Sequence, residues 1–327
     1  MRQNRLGGSA VRVSELSFGA AAIGNLFTPV TDQQADRAVT AAWDAGVRYF
    51  DTAPHYGLGL SERRLGAALR HCPRNEYTLS TKVGRLLEPA DTGGTDLAAG
   101  FAVPATHRRV RDFSAEGVRR SLTESLERLG LDRIDIAYVH DPDDHIEQAL
   151  EETYPELERL RAEGVLGAIG VGMNRTGPLT RFIRETDIDA VLLAGRYTLL
   201  DQGGLGELLP LAADRGVGVV IGGVFNSGLL ADPRPGATFD YATAPHDLVA
   251  RALDLQRVCE RHGVPLRAAA LRFPFGHPAV ASVLVGTRSA AEAEDSAAAL
   301  HRPVPQALWA ELKEHGLLPP DVPTPAP

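Results

Sequence analysis

The chain has 327 residues, 44% of them apolar, with 42 acidic against 34 basic side chains and a net charge of −8. That balance, with a pI near 5.7, argues against nucleic acid or another polyanion as partner. Cys72 and Cys259 make no disulfide framework, and no run reaches the roughly 18 apolar residues of a membrane helix, so a cytoplasmic protein is expected.

Short apolar runs alternate with amphipathic ones along the chain. A hairpin is expected near residues 6–13 and a strand over 16–19, ending at Gly19. Thr31-Asp32-Gln33-Gln34 has the form of a capping box, and Gly46 suits the end of that helix. A buried strand over 47–52 runs out in Asp51 and a Pro- and Gly-bearing loop that presents Tyr56. Ser61 is placed to cap a helix over 62–70. A strand over 77–83 carries Lys82 near its end, and a helix over 115–129 lies between Ser114 and Gly130. The strand over 134–140 closes on His140. Strands over 168–172, 190–194, 217–222 and 282–285 complete eight. Later helices are expected over 154–163, 178–185, 205–215, 247–262 and 290–300, with a C-terminal one over 306–315.

Eight strands alternating with helices predict a (β/α)8 TIM barrel with an N-terminal hairpin and extra C-terminal helices, one domain over 1–327. The doubly wound sheet is the rival, and its Gly-x-Gly-x-x-Gly loop is missing. Gly57-Leu58-Gly59 is followed by Glu62 at the third glycine position, and Gly170-Val171-Gly172 by Arg175. Three connections are long. Residues 84–113 contain Gly93-Gly94, Gly100 and the basic cluster His107-Arg108-Arg109; residues 225–246 are rich in Pro, Gly and Ala. Both follow barrel strands and are expected to overhang the active-site face. The proline-rich tail from about 317 is expected to be flexible.

Asp51, Tyr56, Lys82 and His140 each stand at or just beyond a strand end, where polar groups are costly to bury without partners. Their order, and the block Asp51-Thr52-Ala53-Pro54-His55-Tyr56-Gly57 followed by Ser61-Glu62 and Leu65-Gly66, resemble the tetrad and motif of the aldo-keto reductases. The resemblance covers nearly the whole chain and implies an NAD(P)-dependent oxidoreductase. The chemistry is consistent with the residues. Carbonyl reduction needs a proton donor at the oxygen, and a Lys82 ammonium would lower the pKa of the Tyr56 phenol. Asp51 would hold Lys82, and His140 would orient the substrate oxygen. In alcohol oxidation the same tyrosine is the base. Singly, each residue also fits a bland role as cap, packing or solvated charge. The His140-Asp141-Pro142-Asp143-Asp144-His145 segment does not support a metal site, since Pro142 breaks it and no helical ligand pair accompanies it.

The resemblance also places a cofactor, with NADP(H) favoured and NAD(H) an alternative. Met173-Asn174 stand where the family often has Ser-Asn against the nicotinamide carboxamide, and an amide suits that partner. Gly222 stands where many members have a stacking tyrosine. Gly19, Asn226, Gly228 and Gly286 are further contacts the resemblance implies. Arg288 is the candidate for the 2′-phosphate, with Ser296 at the adenine-contacting position and acidic Glu292, Glu294 and Asp295 nearby. Polar candidates for substrate are Asn25, His55, Asp141 and Arg196. Residues 194–200 and 222–230 look like the branch of the family that oxidises cyclic hemiacetals of sugars to lactones. Reduction of an aldehyde or ketone is the alternative. A channel-subunit role, which carries an N-terminal extension elsewhere in the family, and a Lys82 Schiff-base aldolase fit less well.

Overall fold

The computed structural model describes residues 1–90 and 93–326. Eight strands close into a parallel barrel in chain order: Leu16–Gly19, Tyr49–Asp51, Thr78–Val83, Ile136–His140, Ala168–Met173, Ala190–Ala194, Gly218–Gly222 and Val280–Gly286. Helices cover the outer face, so the strands are buried along nearly their whole length. That is why they read as unbroken apolar runs rather than alternating ones. Successive side chains still point to opposite faces. Tyr49, Ile136 and Tyr138 cluster with Leu192 and Val220 in the lumen, whereas Phe50, Ala137 and Val139 join the larger core beneath the helices. The expected (β/α)8 fold is the observed one.

The N-terminal hairpin pairs Gln3–Arg5 with Arg12–Ser14. Leu6 and Val13 join the lumen cluster and close the N-terminal end of the barrel. The cleft that reaches the lumen residue Leu192 is lined by Tyr56, Lys82 and His140 at the C-terminal end.

The capping box at Thr31 forms, with Gln34 N–H donating to Thr31 Oγ1 at 3.1 Å and Thr31 N–H to Gln34 Oε1 at 2.8 Å. Ser114 likewise caps Ala115–Leu129. Ser61 does not cap its helix. The helix is Leu60–Leu69 and starts from Gly59 in a left-handed conformation. Ser61 Oγ instead donates to the Ala20 carbonyl and bonds Thr52 Oγ1, each at 2.8 Å. The motif serine thus ties the loop after Asp51 to the first strand. Glu62 beside it is fully buried and joins Thr81 to Arg128. Gly66 is required by contact, because a Cβ there would lie 1.8 Å from the Leu129 carbonyl oxygen.

Both long connections fold into hairpins that the sequence pattern did not announce. Arg85–Pro89 pairs with His107–Arg111, and Thr238–Phe239 pairs with Ala242–Thr243. A helix over Leu266–Arg272 was also not expected. In the tail, read from sequence as flexible, Leu318 and Val322 are buried and the Gln306 side chain donates to the Pro325 carbonyl.

Candidate active site

Asp51, Tyr56, Lys82 and His140 meet at the C-terminal mouth of the barrel, each delivered by its own strand or the loop that follows. Lys82 Nζ donates to Asp51 Oδ2 at 2.6 Å and to the Thr52 carbonyl at 2.9 Å. The other Asp51 oxygen accepts from Ser80 Oγ at 2.7 Å. An ammonium has three donors. The third is left for Tyr56, whose ring centroid lies 4.9 Å from Nζ. The His140 ring stands nearly perpendicular to the Tyr56 ring, at 86° and 5.8 Å between centroids. Behind them, the Tyr49 hydroxyl bonds Ser80 and Tyr138, so the floor under Asp51 is a closed polar network.

The charges follow from this packing. Burial would drive Lys82 toward neutrality, but Asp51 and Tyr56 outweigh it and its pKa is raised. Tyr56 departs from expectation. Burial pushes the phenol up to about 12, and the downward pull of Lys82 only partly offsets this. Tyr56 is therefore a protonated acid at neutral pH, and becomes a base only when its proton is drawn off. Burial and the cations Arg85 and Lys82 hold His140 well below the usual histidine range. Burial and Arg85 lower His55 to about 3. Both imidazoles are neutral, and each has a buried Nδ1 without a protein partner.

These side chains line a cleft of about 770 Å³. Its lining mixes the polar side chains of His55, Tyr56, His140 and Asp141 with the apolar ones of Leu26, Phe27, Phe101 and Tyr241. Asp141 sits in a left-handed conformation. It pairs with Arg85, and its carboxylate lies 3.6 Å from His140 Nε2. Arg109, from the basic cluster, pairs with Asp96 and donates to the His55 carbonyl at 2.9 Å. It thereby pins the long loop over Tyr56, where Phe101 packs 6.2 Å from the tyrosine ring. Nothing in the spacing of Arg85, Arg109 or Phe101 singled them out. Only the basic cluster drew notice.

Two expected substrate contacts lie elsewhere. Asn25 does not line the cleft: its amide accepts from Val30 N–H and Arg64 and donates to the Ala102 carbonyl, which fixes its own loop. Arg196 is held by Asp201 and, at 2.6 Å, by Asp240, so its charge is spent inside the protein. Among the described residues no cluster of three or more His, Cys, Asp or Glu side chains is placed to hold a metal ion. None of their helices is long and apolar enough to cross a membrane.

Residues 15–316 match the model of the Aldo/keto reductase family. The chain belongs to this family. It is 47% identical to D-threo-aldose 1-dehydrogenase from a Pseudomonas species over 95% of this chain and 96% of that one. It is 41% identical to pyridoxal 4-dehydrogenase from Microbacterium luteolum, over 96% and 97% of the two chains. A Bacillus halodurans aldo-keto reductase solved in its holo form superposes with a TM-score of 0.76 at 27% identity, covering 96% of each chain. The protein is an oxidoreductase that works with a nicotinamide cofactor and a small-molecule substrate.

Gly172, Gly195 and Gly223 line the cleft at the ends of the fifth, sixth and seventh strands. A Cβ on Gly223 would press against the Gly195 amide nitrogen at 3.1 Å. Beside them the exposed Asn174 lines the cleft with Met173. The aromatic side chain that lines the cleft from the connections after these three strands is Tyr241, in the loop after the seventh. Gly222 itself sits against Leu192, and Gly19, Gly228 and Gly286 are likewise outside the cleft lining. Asn226 lines it, but its amide is engaged by Thr198 Oγ1 at 2.6 Å and the Gly195 carbonyl at 3.2 Å. Ser296 is buried on its helix with Ala293 and Ala297.

Proposed function

We propose that this reductase-family enzyme oxidises an aldose at its hemiacetal carbon, C1, to the lactone. The observation that carries the reading is Tyr56 placed between Lys82 and His140 in a cleft that His55 and Asp141 also line with polar groups fit for hydroxyls. The identities to an aldose dehydrogenase and a pyridoxal dehydrogenase support it. Asn174 and Met173 would hold the nicotinamide, which when bound takes up the hydride. The residues of the chain do the rest. The neutral His140 receives and orients the C1 hydroxyl. Once Tyr56 has lost its own proton to solvent, the phenolate, favoured by the Lys82 charge that Asp51 maintains, takes the hydroxyl proton. The ring oxygen of a hemiacetal stabilises positive character at C1, which makes this carbon easier to oxidise than a simple alcohol. His55 and Asp141 are the candidates for neighbouring hydroxyls, and such partners discriminate strongly against analogues that lack them.

For the cofactor, NADP(H) over NAD(H) rests on Arg288. That side chain lies 3.5 Å from Glu292, whose carboxylate also accepts the Arg288 backbone N–H. The nearby Arg267 is paired with Asp295. A preference for the 2′-phosphate therefore requires Arg288 to leave Glu292, and the margin between the two cofactors is expected to be small.

The test is the purified protein with NAD⁺ and NADP⁺ against a panel of aldopyranoses, and with the reduced cofactors against aldehydes and ketones. Lactone formation from an aldose supports the reading. Carbonyl reduction with no aldose oxidised would leave the reductase alternative.

A further inference from the structure

Three neighbouring barrel strands repeat one pattern. Two residues before each tetrad side chain that a strand carries stands a hydroxyl: Tyr49 before Asp51, Ser80 before Lys82 and Tyr138 before His140. A strand's period of two turns both members of each pair into the lumen. The tetrad therefore rests on a layer of three hydroxyl side chains, all fully buried, with Tyr49 and Tyr138 packed beside Leu192 and Val220. Bulky branched apolar residues are the usual filling of such a layer, and a buried hydroxyl is costly unless bonded.

These three are bonded, and in one direction. Ser80 Oγ lies 2.7 Å from Asp51 Oδ1 and 3.1 Å from the Tyr49 hydroxyl, which lies 3.2 Å from the Tyr138 hydroxyl. A carboxylate can only accept, so Ser80 uses its single hydrogen on Asp51. The contact between Ser80 and Tyr49 must then use the hydrogen of Tyr49, and the contact between Tyr49 and Tyr138 that of Tyr138. All three hydrogens point toward Asp51. Donors aligned in this way polarise one another, and the bond to the charge is the strongest. The other carboxylate oxygen receives Lys82 Nζ at 2.6 Å.

We infer that Ser80, Tyr49 and Tyr138 are positioning residues for the redox reaction, a one-way chain of donors that draws the Asp51 charge away from Lys82 and Tyr56. None of the three lines the cleft, so they act through Asp51. Asp51 opposes the pull of Lys82 on the Tyr56 proton. Without the chain the full carboxylate charge acts on Lys82 and Tyr56, and Tyr56 holds its proton more tightly. That leaves less phenolate in oxidation and a weaker acid in reduction, so kcat falls in both directions. The other titratable groups facing Tyr56 are His55 on its own loop, His140 on the fourth strand, Arg85 beyond the third and Tyr241 after the seventh. Substitutions in the chain leave all of them in place. The inference rests on Tyr56 as the acid–base group, but not on an aldose as the substrate.

The experiment measures kcat, KM and cofactor affinity for Ser80→Ala, Tyr49→Phe, Tyr138→Phe and the double variant Ser80→Ala/Tyr138→Phe, with Tyr56→Phe as control. The substrate is whichever aldopyranose, aldehyde or ketone the wild type turns over fastest. The fall in kcat is expected to be about tenfold for Ser80→Ala, about fivefold for Tyr49→Phe and about threefold for Tyr138→Phe, since each link lies further from the charge. KM and cofactor affinity are expected to stay within about twofold, because no contact with either ligand is lost. The double variant separates a chain from independent packing contacts. With the chain cut at Ser80, Tyr138→Phe should lose nothing more, so the double variant should match Ser80→Ala, whereas independent contacts would add. Additive losses, a rise in KM in place of a fall in kcat, or wild-type turnover in Tyr138→Phe would overturn the inference. Near-normal turnover in Tyr56→Phe would overturn it together with the acid–base reading on which it rests.

Discussion

Two regions of the molecule hold their charges in opposite ways. At the barrel mouth, Lys82 and Asp51 are each 2% exposed and 2.6 Å apart, with Thr52, Ser80, Tyr49 and Tyr138 tied into the same network. At the eighth-strand end, Arg288 and Glu292 are 42% and 40% exposed and 3.5 Å apart. A buried pair cannot lose a partner without leaving an uncompensated charge in low dielectric. An exposed pair is worth little and can be exchanged for a ligand. The first arrangement fixes chemistry; the second, on the proposed reading of Arg288, would leave cofactor choice adjustable by single substitutions.

The comparison is sharpened most by Tyr56→Phe. Removing the one buried phenol beside Lys82 should lower kcat by about 10²–10⁴-fold in either direction. Cofactor affinity, measured by fluorescence titration, should remain nearly intact, because on the proposed reading the nicotinamide would be held from Asn174 and Met173. Asp51→Asn tests the buried pair itself. It leaves the Lys82 charge without its partner and should cost about 3–5 kcal/mol in denaturant unfolding, together with most of the activity. A loss below about 1 kcal/mol would mean the pair is less buried than described.

At the eighth-strand end the effects are smaller. Arg288→Ala should weaken NADP⁺ by about tenfold or more and barely touch NAD⁺. Glu292→Gln, which frees Arg288, should improve NADP⁺ by about two- to fivefold. Equal changes for both cofactors would remove Arg288 from the 2′-phosphate. The pH profile is the mildest prediction. His140 and His55 stay neutral far below their ordinary range, so the carbonyl-reducing direction should show no inflection near about pH 6.5. Oxidation should rise with pH as the raised Tyr56 pKa is approached, without a plateau below about pH 10.

The same contrast explains what was legible in the sequence. Strand ends that must place Asp51, Lys82 and His140 in a buried barrel leave apolar runs terminated by charge, so the strands and the tetrad could be read together. The Ser61-Glu62 and Leu65-Gly66 blocks were legible as motif, but their work was not. Ser61 ties two loops, and Gly66 admits the Leu129 backbone. The sign of the Tyr56 shift depends on burial set against Lys82, and order along the chain carries no measure of burial. Loop residues were the least legible. Asn25 and Arg196 looked like free polar groups because their partners, Arg64 and Asp240, lie 39 and 44 residues away. Tyr241 and Phe27 gave no signal at all, since an aromatic residue in a loop reads as ordinary packing until it is seen to line a cleft.

The most direct measurement is turnover of an aldopyranose deuterated at C1, with the oxidised cofactor, following both the label and the product. The account predicts that deuterium moves to the reduced nicotinamide, that the lactone forms, and that Tyr56→Phe suppresses both. Active protein that reduces aldehydes but transfers no label from any aldopyranose would contradict it.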